Sequence, residues 1–364
     1  MREAIALARE GRGRVEPNPR VGAVALRNGE VVGRGFHSIY GGDHAEVVAL
    51  RHAEASGAAP DTLVVTLEPC STERGTEGKK TPACTDAILR AGVGTIVIGQ
   101  PDPDPRHFEQ GAATLAKGSV EVVSGVLSAA CAEVNRPFAR WLQMDVPWVI
   151  AKWAMSLDGK TATHSGDSKW ISGDDSRTRV HQVRGDVDAV MIGLNTAIVD
   201  DPELTVRHVE GDNPTRIVID PLADLPADSK LVRTAGETPT WVLCGAAANP
   251  DNVSRLRDLD VTVVEVAGEA SGHELDLGSG CRELRKRGVR RVLMEGGGGL
   301  AAQLFAANLV HQVMVFIAPK VIGGERAKSP VAGVGVEVVH DAWKFGEMFH
   351  EPIGDDIIVH GFAT

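Results

Sequence analysis

The stretch "TLVVTLEPC", Thr62–Cys70, decides how this sequence folds. A short apolar run bounded by polar residues reads as a strand buried on both faces, and such strands belong to mostly parallel sheets covered by helices. Its end carries Cys70 to the carboxyl edge of the sheet, where open α/β folds hold their ligands.

Working outward, "VGAVAL" and "EVVGRG" flank the turn "RNG" as a hairpin, and "REAIALARE" and "AEVVALRHAEASG" have helical spacing. Beyond Cys70, "CTDAILRAG" reads as helix, "TIVIG" as buried strand, "FEQGAATLAKG" as helix and "VEVVSG" as strand. A single helix, "SGVLSAACAEVNRPFARWLQ", then closes a mixed α/β unit with helices on both faces. With 364 residues the chain is long for one domain, and "MDVPWVIAKWAMSLDGK" starts a fresh strand after a proline. The expected domains are therefore 1–145 and 146–364. In the second, "RIVIDP", "TWVLCG", "VTVVEVAG", "RRVLMEGGGG" and "HQVMVFIAPKVIGG" read as strands and "DDIIVHGFA" as a late edge strand.

Composition narrows the function. A net charge of −11 argues against a nucleic-acid partner, whose binding draws on basic surface, and no apolar run approaches the roughly 20 residues that span a bilayer. The N-terminus lacks the pattern of a secretory signal, so the expected location is the cytoplasm. The expected partner is a small molecule, and a homo-oligomer is the expected assembly.

Cys70 and Cys84 could form a disulfide, hold a metal, or be unrelated thiols. Five cysteines make no disulfide framework in a chain of this size, and a reducing compartment opposes a bridge. In "HAEVVAL", His44 and Glu46 stand two apart at the start of a helix, and both serve one site only if His44 precedes the first full turn. One imidazole and two thiolates leave a tetrahedral position open, as a catalytic zinc requires, and Glu46 beside it could carry a proton. Taken singly, the His is a helix cap and each Cys a small buried hydrophobe. Together, in this order, they follow the His-x-Glu and Pro-Cys pattern of zinc nucleobase deaminases, with Cys84 placed farther on.

"EPNPRVGAV", "GRGFHSIYGGDHAEVVAL", "VVTLEPCS" and "KTPACTDAILRAGV" resemble the deaminase domain of the bifunctional riboflavin-biosynthesis deaminase/reductase family. "WVIAKWAMSLDGKTATHSGDSKWIS", "VHQVRGDVDAVMIGLNTAIVDDPELTVR" and "RRVLMEGGGGLAAQLF" resemble its reductase domain. The resemblance implies a cytidine-deaminase-like three-layer domain followed by a dihydrofolate-reductase-like α/β domain. It implies Zn2+ on His44, Cys70 and Cys84, Glu46 as proton carrier and Asn18 against the pyrimidine, with His37 a further candidate for that pocket. It also implies NADPH, with Gly297, Gly298 and Gly299 on its phosphates and Ala154, Trp170, Thr196 and Asp200 along it. Ser168, Arg184, Leu204, Arg207 and Glu295 would hold a phosphorylated pyrimidine substrate. From the residues alone, "MEGGGGLA" between strand and helix suits a phosphate at a helix N-terminus, whereas the two arginines read as solvated charges until the resemblance selects them, and then suit a ribose phosphate.

Three positions depart from the family. Segment 71–83 between the cysteines is longer than usual, Thr72 stands where a histidine is usual, and Pro221 stands where a small polar residue is more common near the cofactor. Two other readings stay open: a deaminase half retuned to a related pyrimidine, and a non-catalytic zinc-stabilised N-terminal module.

Overall fold

The computed structural model describes residues 1–12, 14–72, 81–266 and 275–363. Segment 73–80, the greater part of the long span between the cysteines, lies outside the described residues, as do the last two residues expected in the strand "VTVVEVAG". The chain divides into two compact units, Met1–Met144 and Asp145–Thr364.

The first unit runs α1 (Arg2–Glu10), β1 (Gly22–Arg27), β2 (Glu30–Phe36), α2 (Ala45–Ala55), β3 (Thr62–Leu67), α3 (Cys84–Arg90), β4 (Thr95–Gln100), α4 (Gln110–Lys117), β5 (Glu121–Ser124), α5 (Ser128–Val134) and α6 (Arg136–Leu142). Its sheet has the order β2-β1-β3-β4-β5. β1 is antiparallel to both neighbours, and β3, β4 and β5 are parallel. Asn28 and Gly29, both at positive φ (51° and 83°), make the tight turn that the twist of a two-residue hairpin demands.

Alternation along the strands splits the core into two layers. Ala23, Ala25, Leu63 and Val65 face one way and pack with Ala45, Ala49, Ile88 and Leu115 of α2, α3 and α4. Val24 and Val64 face the other way and pack against Ala4 of α1. Helices thus cover both faces, as the sequence pattern predicts. α2 lies unusually close to the sheet because a Cβ on Gly33 or Gly35 would stand 2.2 Å from Ala49 O or 2.4 Å from Ala45 O. That close approach fixes the helix whose first turn carries Glu46.

The expected single closing helix is two. α5 ends at Asn135, whose φ of −100° and ψ of 13° leave the helical track, and α6 restarts with Pro137 in its first turn, where a missing N–H costs nothing. The Asn135 side chain instead accepts the Arg20 N–H at 2.8 Å.

The second unit runs β6 (Trp148–Ser156), α7 (Asp174–Asp186), β7 (Ala189–Gly193), α8 (Leu194–Asp200), β8 (Thr215–Ile219), α9 (Lys230–Arg233), β9 (Thr240–Gly245), α10 (Pro250–Asp258), β10 (Thr262–Val266), α11 (Leu277–Lys286), β11 (Arg291–Met294), α12 (Gly298–Ala306), β12 (Gln312–Ala318), β13 (Phe345–Ile353) and β14 (Asp356–Ala363). The sheet order is β10-β9-β8-β7-β11-β6-β12-β14-β13. The strands from β10 to β12 are parallel, and β14 and β13 add antiparallel.

β14 is not the edge strand expected from "DDIIVHGFA". It lies between β12 and β13, and the edge is β13, "FGEMFHEPI", which no sequence pattern announced. An edge strand tolerates Pro352 and exposed charge, so it need not show the apolar run of a buried strand.

Candidate active sites

His44 is the N-cap of α2, with extended φ and ψ of −76° and 156°, while Glu46 lies in the first helical turn. The break in backbone geometry between them lets side chains two apart serve one site. Cys70 follows β3, and Cys84 is the first residue of α3, whose Cys84 N–H points at Cys70 Sγ (3.4 Å) and whose Thr85 N–H donates to Cys70 O (3.2 Å). The ligand atoms of His44, Cys70 and Cys84 all lie within 4.8 Å of one another.

This donor set fits zinc. A tetrahedral ion with Zn–S of about 2.3 Å and Zn–N of about 2.0 Å sets N···S edges of roughly 3.5 Å. Nδ1 of His44 lies 3.2 Å from Cys84 Sγ and 3.5 Å from Cys70 Sγ. Nε2 of His44 faces Thr81 Oγ1 at 3.1 Å, the outer hydrogen bond that holds a ligating imidazole in orientation. Glu46 is buried, and burial pushes its carboxyl up, reinforced by the Cys70 thiolate and opposed by His44 and the Cys84 hydrogen bond.

His37 is buried beside His44, its ring edge-on at 5.3 Å between centroids. Burial first, and the neighbouring His44 next, bring its pKa down to about 4, so the ring is neutral. Asp43 O can only accept, so His37 Nδ1–H donates to it at 2.9 Å, and Nε2 is left to accept from Asn18 Nδ2 at 3.3 Å. Asn18 is thereby turned with its amide nitrogen toward His37.

In the second unit, Arg184 on α7 forks onto Glu295 after β11, at 2.6 and 3.1 Å, and donates to Thr205 O at 3.0 Å. Burial pushes the Glu295 carboxyl up, but the charges of Arg184 and Lys152 overcome it and hold it at about 2. Lys152 Nζ lies 3.6 Å from Glu295 Oε2 and 5.7 Å above the Phe316 ring, and its own burial pushes the ammonium down against Glu295. Arg207 N donates to Nδ1 of His181 at 3.1 Å. Burial and the charges of Arg184 and Arg207 lower His181 to about 4, which keeps that nitrogen an acceptor. Leu204, buried with φ of 56°, turns the chain between Glu203 and Thr205, and the Arg207 guanidinium is paired with Glu203.

Of the glycines, Gly296 N–H donates to Met294 Sδ and Gly297 N–H to Thr196 Oγ1, at 3.1 and 3.2 Å. The amides open to a phosphate are thus those of Gly298 and Gly299 in the first turn of α12, which have no intrahelical partner. A Cβ on Gly299 would meet nothing within 4 Å, so the helix end presents bare backbone to open space, as a dinucleotide phosphate requires. NADPH fits this cradle.

Ala154 lies on β6 opposite Phe316 of β12. Trp170 is exposed, stacked under the Arg177 guanidinium at 4.6 Å, with its carbonyl held by Lys320 Nζ at 2.8 Å. Ser168 and Asp200 are exposed, and the described contacts join neither to the Arg184–Glu295 pair.

The zinc-binding region of cytidine and deoxycytidylate deaminases matches residues 1–100, and the RibD C-terminal domain matches residues 147–359. Riboflavin biosynthesis protein RibD of Actinobacillus pleuropneumoniae is 38% identical over 99% of this chain and 93% of its own length. The chain belongs to the RibD family. The RibD of Escherichia coli is 34% identical, over 99% of this chain and 97% of its own. Among solved structures, Acinetobacter baumannii RibD superposes with a TM-score of 0.71 at 30% identity, covering 100% of this chain and 97% of that one. The diaminohydroxyphosphoribosylaminopyrimidine deaminase/5-amino-6-(5-phosphoribosylamino)uracil reductase of Thermotoga maritima superposes at 0.68 with 32% identity and the same coverage. This RibD-family chain is a bifunctional enzyme of riboflavin biosynthesis, a zinc deaminase joined to an NADPH-dependent reductase.

Sequence reasoning passed over Thr81, Glu68, His107, His181 and Lys152. Only Lys152 left a signal, a lone cation inside the apolar strand "WVIAKWAM"; the others act through contacts distant in sequence.

Proposed function

We propose that Met1–Met144 hydrolyses the 2-amino group of 2,5-diamino-6-ribosylamino-4(3H)-pyrimidinone 5′-phosphate. Asp145–Thr364 then opens and reduces the ribose of the product, giving 5-amino-6-ribitylamino-uracil 5′-phosphate. The convergence of His44, Cys70 and Cys84 beside a buried carboxylate that is not among the ligands carries this reading. A zinc ion on those three residues supplies Lewis acidity that makes water nucleophilic at neutral pH. Glu46 takes the proton from water and delivers it to the departing amine, and Asn18 orients the pyrimidine.

In the reductase, Arg184 and Arg207 are assigned to the substrate phosphate and ribose, with Ser168, Leu204 and Glu295 completing the substrate side. Gly298 and Gly299 are assigned to the phosphates of NADPH, which supplies the hydride, and Ala154, Trp170, Thr196 and Asp200 to the rest of it, with Gly297, whose N–H is taken by Thr196, beside them rather than on a phosphate. When the 6-amino nitrogen expels the ring oxygen from C1′, that oxygen needs a proton, and Lys152, whose Nζ lies 3.6 Å from Glu295 Oε2, is assigned to give it. Among the described residues no helix is long and apolar enough to cross a membrane. A cytoplasmic homo-oligomer is part of the proposal. The exposed apolar residues Val334, Val338, Val339 and Met348 support the assembly.

The test supplies purified protein with the diamino substrate, with and without NADPH, beside Glu46→Gln. The variant is expected to keep zinc and to reduce the deaminated intermediate, but to lose about a hundredfold or more in ammonia release. Unchanged ammonia release would sink the assignment. A wild type that reduces the intermediate but ignores the diamino substrate would favour a retuned deaminase.

A further inference from the structure

Thr72, standing where the family usually has a histidine, has Oγ1 3.4 Å from Nδ1 of His107. His107 arrives from a different part of the chain, the loop between β4 and α4. That loop is bound to the turn that carries Cys70. The Glu68 carboxylate accepts the N–H groups of Asp102 (2.9 Å), Glu109 (2.9 Å) and Ala112 (3.0 Å), so one side chain closes both ends of the loop. A Cβ on Gly111 would lie 1.9 Å from Pro69 O, which fixes the start of α4 against the same turn. Within the loop, Asp104 accepts the Arg106 N–H at 3.0 Å and its guanidinium at 2.6 Å, and Asp104 O accepts the His107 N–H at 2.9 Å. His107 is therefore held against Thr72 by fixed backbone rather than by the reach of a loose surface side chain.

We propose that His107 supplies, from the β4–α4 loop, the imidazole that relatives usually carry two residues after the first cysteine ligand, and that it orients the pyrimidine substrate at the rim of the deaminase site. The proposal rests on the reading of His44, Cys70 and Cys84 as that site. His107 is a positioning residue, with the chemistry left to Glu46.

The test uses the full zinc-loaded chain. His107→Val should raise KM for the diamino substrate about tenfold with a smaller change in kcat, leaving zinc content and reduction of the deaminated intermediate at wild-type levels. Adding Thr72→His to that variant should return kcat/KM for deamination close to wild type. Unchanged deamination in His107→Val, or a loss that Thr72→His does not restore, would overturn the proposal. Failure of the underlying site reading has its own signature, a wild type that releases no ammonia, and it would remove this proposal as well.

Discussion

Nε of Arg184 meets Oε1 of Glu295 at 2.6 Å and Nη2 meets Oε2 at 3.1 Å, joining the last turn of α7 to the end of β11. Both side chains are about nine-tenths buried, 11% and 9% exposed, so neither charge has much water to fall back on. Removing one partner of such a pair costs about 3–5 kcal/mol, because the other is left buried and uncompensated. Glu295→Gln should therefore unfold at lower urea concentration at pH 7.

The same pair sets an acid dependence. Glu295 falls from 4.5 to about 2 on folding, so its contribution is complete above pH 4.5 and is lost as pH drops toward 2. Urea unfolding of wild type and Glu295→Gln across that window should show the gap between them closing as pH falls. A constant gap would mean that the carboxylate's charge is not what stabilises.

Thr81 offers a test of the zinc site that needs no substrate. Thr81→Val removes the hydroxyl 3.1 Å from His44 Nε2 and should weaken zinc binding roughly 10- to 100-fold, read by competition with a chromophoric chelator. Thr81→Ser should retain wild-type affinity.

The two glycines that open α12 should respond differently to one methyl group. A Cβ on Gly298 would stand 3.0 Å from Ser329 O and 3.1 Å from Ala332 N, so Gly298→Ala should lower thermal stability as well as NADPH affinity. On Gly299 the methyl meets nothing, so Gly299→Ala should raise KM for NADPH with an unchanged melting temperature. Equal KM in Gly299→Ala and wild type would remove that amide from the cofactor site.

Glu68 holds three backbone N–H groups on one carboxylate. Glu68→Gln leaves a single acceptor oxygen and should destabilise the first unit by about 1.5–3 kcal/mol, measured by urea unfolding.

Much of this was legible in the sequence, for identifiable reasons. The short, mostly apolar runs at Thr62–Leu67 and Arg291–Met294 are buried on both faces, and their length and flanking residues favour strand over helix. His44, Cys70 and Cys84 were readable because a metal needs particular atoms, which few residue types supply, and Glu46 because it stands two residues from His44 at the start of the same helix. β13 was not, because an edge strand with Pro352 and two glutamates has no single-faced apolar pattern to detect. The restart at Asn135 had a signal in Pro137 that the single-helix reading passed over, while the Arg20 N–H that Asn135 accepts, more than a hundred residues away, left none. His107 and Thr81 were invisible for a similar reason: each acts on a partner that only folding brings near.

The ligands at either end of the long span between the cysteines take their positions from elsewhere. Cys70 is fixed by β3 and by the Glu68 ties, and Cys84 by its place in α3 and by the Thr85 N–H on Cys70 O. Insertion between Thr72 and Thr81 therefore leaves both cysteine ligands and the Thr81 contact to His44 anchored by other parts of the fold, and loop length carries only a slowly growing entropic cost. In evolutionary terms, that leaves a lineage room to vary the sequence between the two cysteines while selection on the metal centre stays satisfied throughout.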